Sequence, residues 1–90
     1  MNKHYRGIGL LRKGAYKEAC ECFKAMIDID SGLKGAWLNR GVALGCLGEI
    51  DEEIGCYNMA LAIDPNYEKA LKNARIANCK IKRSHVSCSP

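Results

Sequence analysis

No apolar run in this chain approaches the roughly 20 residues that cross a bilayer, and Met1 to Arg6 lack the apolar core of a signal peptide. A cytoplasmic protein without a membrane partner is expected. There is no C-x-x-C, and the two histidines, His4 and His85, stand near opposite ends. No Ser–His–Asp, Cys–His or metal-spaced constellation can be assembled without assuming contacts that the sequence does not show. The chain is therefore expected not to be an enzyme, with no catalytic residue, cofactor or metal. Six cysteines are present, but most fall inside helical patterns. Cys20 and Cys22, two apart on a helix, point about 200° apart and cannot share one metal or one bridge. The cysteines read as buried small hydrophobes in a reducing compartment, with a zinc site as the alternative.

Ninety residues allow one domain, small enough to be of marginal stability. With 48% hydrophobic and 27% charged residues, disorder is not expected over most of the length. The net charge of +4 is unevenly spread. Lys69, Lys72, Arg75, Lys80, Lys82 and Arg83 face only Glu68, whereas Glu49, Asp51, Glu52, Glu53 and Asp64 face Lys34 and Arg40. A basic end on a neutral body favours acidic partners in encounter, or is simply a solvated face.

What is present in quantity is repetition. Gly41 stands 34 residues after Gly7, and the same offset carries Leu10 onto Leu44, Gly14 onto Gly48, Cys22 onto Cys56, Phe23 onto Tyr57, Ile29 onto Ile63 and Asp30 onto Asp64. Apolar periodicity predicts helices over 3–13, 16–29, 35–47, 50–63 and 67–82. Gly14 and Gly48 stop the first and third as left-handed caps. Asp30-Ser31-Gly32 and Asp64-Pro65-Asn66 end the second and fourth, and Asn66 is expected to cap the fifth. Residues 84–90 read as a flexible tail. Mid-helix Gly7 and Gly41 imply a close approach of the two helices in each unit, with Ala19 facing Gly7 and the rings of Phe23 and Tyr57 in the wider part of the seam. Glu53 stands at the position of Ala19, so either the second hairpin is splayed or Glu53 reaches out to water. Gly45 is expected on the groove side, where leucine would gain helix propensity.

Trp37-x-x-Arg40-Gly41-x-x-Leu44, Glu53-x-x-x-Tyr57, Ala60-Leu61 and Ile63-Asp64-Pro65-Asn66 together resemble one complete tetratricopeptide repeat. Gly7-x-x-Leu10, Gly14-Ala15-Tyr16-x-Glu18-Ala19, Phe23 and Ile29-Asp30 resemble a second, preceding unit. The resemblance implies an all-α, right-handed superhelical stack of five helices. It forms one domain over 1–83: a repeat over about 1–33, another over about 34–67, and a capping helix over about 67–82. Arg75 replaces the mid-helix glycine of that last helix and Asn78 its leucine, as suits a solvated end of the stack.

The resemblance further implies a protein-interaction module, a non-catalytic scaffold or adaptor that holds a peptide or partner helix in its concave groove. The groove would take His4, Ile8, Leu11 and Arg12 from the first helix and Leu38, Asn39, Val42 and Cys46 from the third. From the fifth it would take Lys69, Lys72, Asn73 and Ile76. An apolar floor, basic at one end, suits a peptide with an acidic group. Against the carboxylate clamp of some family members, Asn39 and Lys69 match, His4 and Ile8 replace a lysine and an asparagine, and Asn73 replaces an arginine. The alternative function is nucleic-acid binding by the basic fifth helix. Apolar residues on the first hairpin (Tyr5, Ile8, Leu10, Leu11, Tyr16 and Met26) suggest either a weak homodimer through that edge or a monomer with some exposed apolar surface.

Overall fold

The computed structural model describes the backbone of residues 3–88 and the side chains of residues 5–81. Five helices follow one another: α1 (Lys3–Lys13), α2 (Tyr16–Ile29), α3 (Lys34–Cys46), α4 (Ile50–Ile63) and α5 (Glu68–Cys88). Each packs chiefly on the next, with lighter contact between α1 and α3 and between α3 and α5. That nearest-neighbour pattern is how a helical repeat stacks, and it draws the molecule out to 51 × 29 × 19 Å.

Identical local chemistry ends equivalent helices. Gly14 and Gly48 have φ of 81° and 84°, the left-handed conformation that glycine takes without steric cost. After them, the Ala15 N–H donates to the Leu10 carbonyl and the Glu49 N–H to the Leu44 carbonyl, both at 2.9 Å. With the Gly14 N–H on Leu11 and the Gly48 N–H on Gly45, each at 3.1 Å, both ends are complete Schellman turns. At the other turn, Asp30 Oδ1 accepts the Gly32 N–H at 3.0 Å and Asp64 Oδ1 accepts the Asn66 N–H at 3.1 Å, as aspartate does in Asx turns. Asn66 is thus part of a turn closed by Asp64, and not the cap of α5, which begins at Glu68.

Two ties hold the second unit. The Lys34 ammonium donates to the Asp64 carboxylate and lies 4.8 Å from the centroid of the Tyr67 ring. That hydrogen bond, with the Asn66 N–H second, holds the Asp64 carboxyl below the usual carboxylate range. Trp37 Nε1 donates to the Ser31 carbonyl at 2.8 Å, fastening α3 to the turn between repeats.

The core divides into two clusters. One gathers Ala19, Phe23 and Ala43, flanked by Ile8, Leu10, Leu11, Cys20 and Met26. The other gathers Leu38, Tyr57, Ala60, Ala70, Ala74 and Ala77. The close approach at the glycines is made by the rings themselves. A Cβ on Gly7 would lie 2.5 Å from the tip of the Phe23 ring, and one on Gly41 would lie 2.5 Å from Tyr57 Cε1. Phe23, rather than Ala19, therefore faces Gly7. Helical hairpins in which a ring abuts bare backbone bring the helices together while still burying a full aromatic side chain.

Three further expectations change. Helix α5 continues through residues 84–88, which had read as a tail, because no Gly or Pro interrupts the chain before Pro90. Its Arg75 and Asn78 are exposed, as a solvated end of the stack requires. On the first hairpin Ile8, Leu10, Leu11 and Met26 pack on the Phe23 cluster, Tyr16 is half-buried, and Tyr5 alone of the six is exposed. Of the cysteines described, Cys56 is buried, Cys20 and Cys22 are half-buried, and Cys46 and Cys79 are exposed. Among the described residues no three His, Cys, Asp or Glu side chains gather where they could hold a metal, and no helix is long and apolar enough to cross a membrane.

Candidate functional site

A recess of about 320 Å³ opens where α3, α4 and α5 meet. Helix α3 gives it Val42, Gly45 and Cys46; α4 gives Glu53 and Tyr57; α5 gives Asn73, Ile76 and Lys80. Val42, Cys46, Asn73 and Ile76 were expected on a groove, and the structure brings these four together.

The other expected groove residues lie elsewhere. Leu38 is only 6% exposed. It is core: Leu38 shares a face of α3 with Val42 and Gly45, but at its end of the helix Tyr57 and the alanines of α5 cover that face. Ile8 and Leu11 are half-buried against the Phe23 cluster. Asn39 is half-buried, Arg12, Lys69 and Lys72 are exposed, and none of them lines the recess. The side chain of His4 lies outside the described residues.

Gly45, expected on the groove side, lines the recess as well, and three lining residues were missed: Glu53, Tyr57 and Lys80. Lys80 was legible, since it stands one helical turn beyond Ile76 on the same face of α5. The Glu53–Tyr57 pair was legible too, being four apart on α4.

Glu53 neither splays the hairpin nor reaches water. It is 5% exposed, and its Oε2 accepts the Tyr57 hydroxyl at 2.7 Å. Its Oε1 is buried with no donor. Bare Gly45 makes the room: a Cβ there would stand 2.5 Å from Oε2 and 2.7 Å from Oε1. Leucine at Gly45 is therefore not the benign replacement that an open face would allow.

Burial, first, and then the hydrogen bond to Glu53 and its negative charge push the Tyr57 hydroxyl well above its ordinary range. Burial also raises the Cys56 thiol, offset in part by the Arg40 guanidinium, whose Nη1 lies 3.7 Å from Cys56 Sγ. Both groups keep their protons in the folded chain at pH values where the unfolded chain loses them. Their contribution is intact below the ordinary thiol and phenol values and is lost as the pH rises from those values through the raised folded ones. Stability should fall above about pH 9, by up to roughly 1.4 kcal/mol per pH unit for each group. Urea midpoints across the alkaline range check this, and Tyr57→Phe should flatten the decline above about pH 10.

No family model matches the chain. An uncharacterized protein of Methanocaldococcus jannaschii is 30% identical over 59 residues, spanning 66% of this chain and 69% of that protein. Among solved structures, the second TPR of Spaghetti (RPAP3), bound to the HSP90 peptide SRMEEVD, is similar with a TM-score of 0.86 and 25% identity over 90% of this chain and 75% of that one. The fold shared with that TPR over 90% of the chain, built here from two hairpins that each close a ring against a glycine, makes this chain a member of the tetratricopeptide-repeat family.

Proposed function

We propose that the chain is a non-catalytic protein-interaction module that holds a peptide across α3, α4 and α5, with apolar side chains of the ligand on Val42 and Ile76 and an acidic group near the lysines of α5. The carrying observation is the recess itself, apolar on the Val42–Ile76 side and edged by Lys80. Lys69, one face along α5 with Asn73, Ile76 and Lys80, extends that basic edge. Support also comes from the structural neighbour, which carries a peptide with two glutamates and a terminal aspartate. The first hairpin, whose apolar side chains are mostly turned to its own core, gives no support to a homodimer.

Selection from a random array of heptapeptides with free carboxyl ends tests the reading. Enriched peptides should carry an acidic residue beside an apolar one, and should perturb the amide resonances of Val42, Ile76 and Lys80. Charge reversal by Lys80→Glu should weaken them by about tenfold, an effect that shrinks with added salt. No enrichment, or perturbation confined to other faces, overturns it. Short RNA that binds with a steep salt dependence would turn the assignment to nucleic acid.

A further inference from the structure

The two repeats differ in one compensating pair. At the 34-residue offset, Leu11 becomes Gly45 and Ala19 becomes Glu53. In the first unit an apolar wedge, Leu11, packs on the cluster around Phe23 and Ala19. In the second unit that wedge is gone, and a carboxylate from the opposite helix lies against the bare backbone instead. The seam has kept its bulk and changed its chemistry.

The change is unfavourable in the free chain. Glycine inside a helix costs about 1 kcal/mol relative to alanine. A buried carboxylate also demands a donor on each oxygen. Glu53 has only the Tyr57 hydroxyl, on Oε2, while Oε1 has none. Glu53 lines a recess of about 320 Å³, and its carboxylate turns about a soft torsion.

We infer that this recess is a receptor for a cationic N–H donor at the end of an aliphatic stem, an arginine or lysine side chain of the bound peptide, which donates to Glu53. Val42 and Ile76 flank the stem, and Asn73 offers a second polar partner at the wall. Lys80 is the one described cation on the lining, and it makes no ion pair with Glu53. Lys80 is exposed and takes the acidic group of the same ligand, so the site reads a basic and an acidic residue together. The inference rests on the groove reading above and adds the sign of its central contact.

Amide spectra of the whole chain titrated with N-acetyl-arginine methylamide, and with its norleucine counterpart, test it. The arginine compound should produce saturable shifts at Gly45, Glu53 and Tyr57, and the norleucine compound should not. Glu53→Gln keeps the shape and can still accept the Tyr57 hydroxyl, but it removes the charge and should weaken arginine binding at least tenfold. Equal shifts from the two compounds, no saturation with arginine, or wild-type affinity in Glu53→Gln overturns the inference. Should Glu53→Gln fail to fold, Lys80→Met decides. Loss of the competing cation should tighten arginine binding severalfold, and unchanged affinity overturns the inference. A chain that selects acidic heptapeptides yet ignores the arginine compound loses this inference alone. One that selects no peptide loses the groove reading as well.

Discussion

Replacing Gly41 with leucine should remove most of the stability of the domain. Even the first added carbon has no room: a Cβ at this site would lie 2.5 Å and 2.9 Å from two carbons of the Tyr57 ring and 3.2 Å from Cys56 Cβ. The ring cannot step aside. It is 1% exposed, sits among Leu38, Ala60 and the alanines of α5, and its hydroxyl is the one donor that Glu53 has. Overpacking of a core costs about 1–3 kcal/mol and sometimes more. Leucine here lies at the upper end, against a total of only about 5 kcal/mol for a small domain. Gly55 is the control, exposed on α4 with nothing within 4 Å of an added Cβ. Gly55→Ala should gain about 0.5–1 kcal/mol from helix propensity. Urea midpoints for the two variants should therefore move in opposite directions, and a shared midpoint would remove the ring-against-glycine account of the seam.

How far the sequence speaks is itself instructive at these positions. The ends of α1, α2 and α4 were legible because glycine caps and Asp turns are local chemistry, decided within a few residues. The partner of Gly7 was not, because a glycine reports that something comes close without reporting what. Ala19 and Phe23 stand four apart on one face of α2, and only the packed hairpin distinguishes them. Glu53 was recognised as an anomaly, but its resolution needed two facts at once, the i+4 hydroxyl of Tyr57 and the space at Gly45. Leu38 shows the limit for a groove. Leu38, Val42 and Gly45 share one face of α3, and the family pattern does not say how far Tyr57 and the alanines of α5 cover that face. The far end of α5 was misread for a simpler reason: polar residues without Gly or Pro suit a solvated helix as well as a tail.

Truncating the two central rings should separate the stack into unequal halves. Phe23 and Tyr57 are the largest fully buried side chains described, at 0% and 1% exposure, and loss of either ring should cost about 3–5 kcal/mol. The consequences differ because the clusters differ. Phe23 holds α1 and α2 together and meets Ala43 on α3, whereas Tyr57 ties α3 to α4 within the cluster that includes the α5 alanines. In a stack coupled between neighbours, damage in an end unit is felt most there, and damage in the middle is felt on both sides. Hydrogen exchange on Phe23→Ala should show protection falling most steeply in α1 and α2, with α3, α4 and α5 retaining more of theirs. Tyr57→Ala should lose protection in all five helices. The recess is built wholly from α3, α4 and α5, so Phe23→Ala should also keep peptide binding within a few fold while Tyr57→Ala abolishes it. Uniform loss of protection in both variants would mean that the 90 residues melt as a single unit, and the separation of the binding face from the first hairpin would be lost with it.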